Sequence, residues 1–314
     1  MRSIRLRAPA KINLHLRVGP PAADGFHPLL SWMVTLGLAD TLTLTAMDRR
    51  FDRGERVTLT CDDPSLPCDA TNLVVRAGQA LADALPNTSD LCQVSAALVK
   101  RIPMGAGLGG GSSDGASALK GLNHLWSTSL SGQALAEISA RLGSDLPFFF
   151  HGDSSVCTGR GEVVRPVPAP IAKWAMLVLP KIHMPTPAVY KQFDQMGLGD
   201  SDRLTNEPDW GAWARMPARD LLPRLVNDLE APAFAINAEL GRLRDDVERM
   251  FGQPVRMSGS GSSLFTLYDG QELSIDAAER VVARLGEKAL AVEVAPDFPG
   301  DANTLSTEGA PRSS

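Results

Sequence analysis

Ile102-Pro103-Met104-Gly105-Ala106-Gly107-Leu108-Gly109-Gly110-Gly111-Ser112-Ser113-Asp114 decides how this chain is read. Leu91 to Ile102, just before it, has the composition of a strand, and Ser113 to Trp126, just after it, has the spacing of an amphipathic helix. Strand, glycine loop and helix in that order bind anions, because the free N–H groups of the helix start and its positive dipole end face the loop. Glycines let successive backbone N–H groups converge on a phosphate without a Cβ in the way, and hydroxyls add further donors. Pro103, Gly105, Ala106, Gly107, Leu108, Gly109, Gly110, Gly111, Ser112 and Ser113 are therefore the candidate polyphosphate cradle.

Other motifs that this stretch matches fail on context. Gly105, Gly107 and Gly110 satisfy G-x-G-x-x-G, but a dinucleotide site also needs an acid about 20 residues on, and Ser127 to Ser131 holds none. Gly111-Ser112-Ser113-Asp114-Gly115 fits G-x-S-x-G, yet glycines stand where a nucleophile elbow needs a strand. The chain contains no G-x-x-x-x-G-K-[ST], H-R-D or D-F-G, which disfavours Walker-type NTPases and protein kinases.

Outward from the loop, Ile12, Leu14, Leu16 and Val18 alternate as a strand, and a Gly/Pro/Asp loop follows from Gly19 to Gly25. Further strands are expected at Leu29 to Leu36, Thr41 to Thr45 and Val57 to Thr60. Thr71 offers an N-cap to a helix ending near Leu85. A helix from Ala134 to Leu142 follows Ser131 and stops at Gly143. Val156 to Pro170 is rich in Gly and Pro and reads as a domain boundary, giving domains of 1–160 and 161–297. The second half alternates strands (Ala175 to Leu179, Val255 to Met257, Leu264 to Tyr268, Leu290 to Val294) with helices (from Pro187, Ile236 to Phe251, Ala277 to Leu285), an α+β pattern in two layers. Residues 298–314 are polar and poor in apolar residues, as in a disordered tail.

At 314 residues and 44% apolar content the chain has material for about two domains and a substantial core. Its net charge of −5, without a Lys/Arg run, argues against nucleic acid as a partner. Cys61, Cys68, Cys92 and Cys157 form no CxxC pair and no zinc spacing, so reduced thiols and a cytoplasmic location are expected. Neither a secretory h-region nor a run of about 18 apolar residues is found, so no membrane association is expected. Nothing in the pattern speaks to oligomeric state.

The glycine loop resembles the second motif of the GHMP kinases, and the other two motifs occur in order. Ala8-Pro9-Ala10-Lys11-Ile12-Asn13-Leu14 resembles the first, and Met257-Ser258-Gly259-Ser260-Gly261-Ser262-Ser263 the third. Within that superfamily the diphosphocytidyl-methylerythritol kinases carry a loop similar to Asp24-Gly25-Phe26-His27-Pro28-Leu29, a triple glycine like Gly109 to Gly111 and a segment like Asn227-Asp228-Leu229-Glu230. Two residues depart from the pattern. Phe26 stands where the family usually has Tyr, and Gly115 where it often has Ala. The resemblance implies the two-domain GHMP fold, with an N-terminal nucleotide-binding α/β domain. It also implies ATP with Mg²⁺ and phosphorylation of a cytidine-diphosphate-linked methylerythritol at its 2-hydroxyl, in non-mevalonate isoprenoid precursor synthesis. Two alternatives stay open: a GHMP kinase acting on homoserine, mevalonate or a sugar, and a non-catalytic nucleotide sensor of the same fold.

Roles follow from the same resemblance. Asp145, just ahead of Pro147-Phe148-Phe149-Phe150, is the matching base, although a turn or N-cap aspartate explains it equally well from sequence alone. Such an acid among aromatics needs a cation to keep it ionised. Lys11 supplies one and also faces the transferring phosphoryl group; its alternative is a surface lysine at a strand edge. Asn13, two residues on along the strand, shares its face and could hold the substrate hydroxyl or satisfy a neighbouring backbone group. Phe26 and His27 are the implied cytosine readers, with Thr186 and Tyr190 on the far wall, Tyr190 alternatively being core. Gly259 to Ser262 either closes over the nucleotide phosphates or makes a tight turn. His15, His124, His151 and His183 have no ligand spacing and read as structural, and no protein ligand to a metal is assigned.

Overall fold

The structure, a computed structural model, describes residues 2–50, 56–88 and 91–296, without the side chains of residues 48–50. Its strands are β1 Ser3–Val18, β2 Leu29–Arg50, β3 Val57–Cys61, β4 Cys92–Val99, β5 Ser154–Thr158, β6 Val163–Pro166, β7 Trp174–Leu179, β8 Arg256–Met257, β9 Leu264–Tyr268 and β10 Lys288–Glu293. The helices are α1 Leu73–Asp83, α2 Gly110–Leu125, α3 Gly132–Ala140, α4 Thr186–Gln195, α5 Asp202–Thr205, α6 Trp210–Ala214, α7 Ala218–Leu221, α8 Glu230–Ile236, α9 Ala238–Phe251 and α10 Gln271–Leu285.

Two sheets organise the chain. The first runs β3-β4-β2-β5-β6, with β1 paired along β2, and only the β3–β4 pairing is parallel. The second runs β10-β7-β9-β8 and is antiparallel throughout. Period-2 alternation assigns the faces of β7. Met176 and Val178 pack with Val189, Leu240, Val247 and Val281 of α4, α9 and α10, whereas Ala175, Leu177 and Leu179 join Ile12, Trp32 and Val34 of the first sheet. One apolar core therefore spans both sheets. A separate cluster joins Ile4, Leu6, Leu42 and Leu44 to α1, α2 and α3. This is the two-domain α+β arrangement that the pattern and the resemblance implied.

Several local expectations are corrected. β1 begins at Ser3, because Ile4, Leu6 and Ala8 point inward while Arg5 and Arg7 alternate outward. The strands expected at Leu29 to Leu36 and Thr41 to Thr45 are one long strand, β2, which pairs with β5 near its start and with β4 near its end. Asn72, not Thr71, caps α1 by accepting from Val74 N at 2.9 Å, while Thr71 bonds to Asp69. α2 starts at Gly110 rather than Ser113. Tertiary packing overrides the low helix propensity of glycine there, since a Cβ on Gly110 would come 3.0 Å from Ile102 Cγ2. Asn237 breaks the helix expected from Ile236 and caps α9 by accepting from Leu240 N at 3.0 Å. The Gly/Pro-rich stretch around Val156 to Pro170 contains β5 and β6. The first sheet extends to Pro166 and the second begins at Trp174. The tail expected at 298–314 lies outside the described residues.

Candidate active site

β1 carries the first part of the site. Register shifts between Pro9 and Lys11 and between Asn13 and His15 bracket the two polar residues, and both are buried, with 3% of each exposed. A lysine ammonium so deep needs acceptors. Lys11 Nζ donates to Asn13 Oδ1 at 2.7 Å and lies 3.3 Å from Asp145 Oδ2. Asn13 Nδ2 donates to Ser31 Oγ at 2.8 Å, and Ser31 Oγ donates to His15 O at 3.0 Å, so the amide orientation is held from behind. Asp145 follows α3 and precedes the one-turn 3₁₀ helix Pro147–Phe150; Phe148 and Phe149 are buried, but the Asp145 side chain is 35% exposed. The carboxylate beside these aromatics is thus only partly buried and stays open to solvent or an incoming ligand. Its charge still reaches inward. Burial first, and the Asp145 charge second, push the Tyr190 phenol and the Cys157 thiol each up to about 12.

The glycine loop lies directly on this pair. Lys11 N donates to Leu108 O at 2.9 Å, and Ala106 and Leu108 point into the core. Gly109 sits at φ +66°, where a Cβ would stand 2.8 Å from Lys11 Cγ and 3.0 Å from Lys11 Cε. Gly107, at φ +78°, leaves no room at all, since a Cβ would lie 2.2 Å from Ser258 O. The third motif therefore docks on the second. Ser258 Oγ donates to Gly107 O at 2.9 Å and accepts from Asn13 N at 3.3 Å, while Ser263 N donates to Ala106 O at 3.1 Å. All three motifs meet within a few ångströms. Gly105 faces His183, whose Nδ1 would be 3.3 Å from an added Cβ. Gly110, Gly111, Ser112 and Ser113 form the first turn of α2, and the Ser113 hydroxyl is buried without a hydrogen-bond partner at the helix start.

The second pocket wall comes from α4. His27 Nε2 lies 2.7 Å from Asp194 Oδ1, and its ring packs on Tyr190 at 4.9 Å and on Phe193 at 5.8 Å between centroids. A carboxylate only accepts, so Nε2 is the donor and a neutral ring keeps Nδ1 as an acceptor. Thr186 Oγ1 and Ser260 Oγ share a hydrogen bond of 2.8 Å, which ties α4 to the third motif. Phe26 is not placed against Tyr190. Its ring is 52% exposed with the Arg160 guanidinium 4.0 Å from its centroid, and Arg160 also pairs with Asp24.

Sequence reasoning passed over three parts of this arrangement. Arg160, on the turn between β5 and β6, is one; an isolated arginine in a glycine-rich turn gives no signal. The second is a buried ion cluster behind the loop. Lys100 Nζ donates to Asp114 Oδ2 at 2.8 Å and also to Asp40, whose other oxygen accepts from Ile102 N at 2.9 Å. Burial, against the opposing pull of Lys100, pushes the Asp114 carboxyl up to about 7. The third is Asn227, singled out as part of a marker segment but given no role. Its Nδ2 donates to Met257 O at 2.7 Å and to Gly259 O at 2.8 Å, and so holds the third motif in place.

Strand, glycine loop, helix and a lysine–aspartate pair in this order define a small-molecule kinase of the GHMP type. In agreement, the model for the GHMP kinases N terminal domain matches residues 72–153. Proteins named 4-diphosphocytidyl-2-C-methyl-D-erythritol kinase are similar over most of the chain. The one from Synechococcus sp. (strain CC9902) is 36% identical over 94% of this chain and 98% of its own length. The one from Nocardioides sp. (strain ATCC BAA-499 / JS614) is 39% identical over 82% of this chain and 85% of its own length. The crystal structure of a 4-(cytidine 5'-diphospho)-2C-methyl-D-erythritol kinase superposes with a TM-score of 0.72 at 31% identity, covering 93% of this chain and 99% of that one. A mevalonate kinase structure, with a TM-score of 0.66 at 13% identity over 93% of this chain and 98% of that one, shares the fold alone. The chain belongs to the 4-diphosphocytidyl-2-C-methyl-D-erythritol kinase family of GHMP kinases. No helix among the described residues is long and apolar enough to cross a membrane.

Proposed function

We propose that this chain transfers the γ-phosphoryl group of ATP to the 2-hydroxyl of 4-diphosphocytidyl-2-C-methyl-D-erythritol, a step of non-mevalonate isoprenoid precursor biosynthesis. The observation that carries the chemistry is the Lys11 ammonium, held 2.7 Å from Asn13 Oδ1 and 3.3 Å from Asp145 Oδ2 beside the backbone of Gly109. In the proposed reaction the solvent-facing Asp145 oxygen accepts the hydroxyl proton. Lys11 holds that carboxylate in place and balances charge on the phosphoryl group as it passes from the leaving oxygen to the substrate oxygen. Asn13, fixed by Ser31, orients Lys11 and the acceptor hydroxyl. Pro103 and Gly105 to Ser113 cradle the phosphates, and Gly259 to Ser262 closes against them. His27 Nδ1 accepts from the exocyclic amine of cytosine, Phe26 and Tyr190 offer aromatic faces, and Thr186 lines the far wall.

Mg²⁺, when bound, neutralises the phosphate oxygens. The unpartnered Ser113 hydroxyl at the start of α2 suits it, and would hold it together with phosphate oxygens and water. The free thiols Cys61, Cys68, Cys92 and Cys157 suit a reducing compartment, and we place the reaction in the cytoplasm. A coupled ADP-release assay with Mg-ATP tests the proposal against cytidylylated methylerythritol, homoserine, mevalonate and a hexose. Efficient turnover is expected with the first alone. Activity on homoserine or mevalonate with none on the first overturns the substrate assignment, and no ADP release with any acceptor overturns catalysis.

A further inference from the structure

Away from the glycine loop, a cavity of about 380 Å³ is walled by Arg17, Arg203, Arg244 and Arg256, with Asp228 and Glu230. That volume falls within the roughly 300–1,000 Å³ of small-molecule sites, although such sites are usually mostly apolar and this one is basic. The balance of donors and acceptors in its wall is uneven. Each guanidinium offers several N–H donors in a fixed fork. The two acids are largely spent on backbone: Asp228 Oδ2 accepts from Val18 N at 3.1 Å, and Glu230 Oε1 from Met257 N at 2.8 Å. Arg17 Nη1 takes the remaining Asp228 oxygen at 2.9 Å, whereas Arg256 Nη1 stays 3.7 Å from Glu230. Burial pushes the Glu230 carboxyl up, which weakens it further as a counter-charge. The Nε–H of Arg256 is buried with no hydrogen-bond partner, whereas Arg244 Nε has Asp245 Oδ1 at 3.0 Å.

Three other carboxylates approach these arginines: Asp200 at 3.0 Å from Arg203, and Asp245 at 3.0 Å and Glu248 at 3.6 Å from Arg244. They do not wall the cavity; the Arg203–Asp200 pair is exposed and contributes only ~0–1 kcal/mol, and the two Arg244 pairs are half-buried. A bound anion offering several oxygens to several forks at once would gain far more, because bidentate charge-assisted bonds are the strong ones. A buried donor without an acceptor, such as the Arg256 Nε–H, is the costly part of such a wall, and an anion that reaches it removes that cost.

We propose that this cavity is a second anion site, separate from the ATP cradle, that takes a compact phosphate or diphosphate group. It stands next to the machinery. Asn227 lies on its wall and at the same time holds Gly259 O, beside Lys11 and Asn13.

Isothermal titration of inorganic diphosphate into the full chain, with the glycine loop first saturated by a non-hydrolysable ATP analogue, tests the proposal. The expected result is uptake of about one diphosphate per chain, weakening as ionic strength rises. Arg203→Gln, on an exposed short helix, and Arg244→Gln should each weaken that uptake tenfold or more, with the unfolding midpoint and turnover unchanged for Arg203→Gln. No uptake once the loop is occupied overturns the proposal, as does uptake that both variants retain at full strength.

Discussion

Asp145→Asn separates a catalytic base from a structural turn residue. The substitution keeps volume and leaves a carbonyl oxygen for Lys11 Nζ, now 3.3 Å from the carboxylate, but it cannot take up a proton. At that distance and an effective dielectric of about 20, the gross attraction lost is roughly 5 kcal/mol. Because the Asp145 side chain is 35% exposed, solvent screens most of this, and the net change in stability should be near the ~1 kcal/mol typical of exposed pairs. Loss of a positioned base costs on the order of 10²–10⁴ in rate, or about 2.7–5.4 kcal/mol of barrier. The lower end is expected if the transition state is loose and asks little of the base. The rate effect should therefore exceed the stability effect severalfold. Steady-state ADP release at saturating substrate, beside a thermal melt and a nucleotide titration, measures all three quantities. Lys11→Ala should also slow turnover. If the two residues act as one unit, the double variant should be much less impaired than the product of the single losses. An Asp145→Asn enzyme with more than half the parent rate and a lowered melting temperature would refute the base assignment.

His27→Ala should raise KM for the cytidylyl substrate by the equivalent of about 1–3 kcal/mol, the cost of a buried polar group left unpaired, while KM for ATP hardly moves; an equal rise in both would place His27 elsewhere. Gly109→Val should abolish nucleotide binding in an equilibrium titration. Because a side chain at the Gly109 φ of +66° is itself strained and its Cβ would also press on Lys11, it should lower stability by at least ~1–2 kcal/mol; unchanged ATP affinity would return the segment to a passive turn. Asp114, its carboxyl pushed up to about 7 from an ordinary value of 3.8, makes the folded chain bind more protons than the unfolded chain between those limits. Its contribution to stability is therefore complete below about pH 4 and is lost as pH rises toward 7. Asp114→Asn should flatten that part of the stability profile in denaturant titrations, and an unaltered slope would show that Lys100 already holds the group ionised.

What could be read before any coordinates were those features whose cause is local. A glycine loop between a strand and a helix has its chemistry written in adjacent residues, and so do the period-2 faces that put Lys11 and Asn13 on one side of β1. The burial of Lys11 was not written there. It depends on Gly109 pressing on the lysine stem and on Asp145 arriving from beyond α3, both contacts that only the fold makes. The continuity of β2 was hidden for the opposite reason. Gly37 and Asp40 between Leu36 and Thr41 resemble a turn, yet Ala39 and Asp40 pair with Pro9 and Ala8 of β1 on one side of a register shift and Thr35 pairs with Lys11 on the other, and that pairing outweighs local propensity.

Asn227 shows best why a marker segment can be recognised without being understood. Its neighbours in sequence say only that a helix begins soon after. Its amide spans from the end of β8 to Gly259, its carbonyl oxygen accepts from Leu229 N at 2.9 Å, and its backbone bridges to Leu16 of β1. The same few residues thus fasten the strand that carries Lys11 to the loop that closes beside it. Asp228 repeats the attachment through Arg17 and Val18 N. Apart from the Arg17 guanidinium, these partners are backbone atoms, which every residue possesses. A side chain that serves backbone groups far away in sequence leaves no compositional trace. Its role therefore emerges only when the fold has brought the first and third motifs together around it.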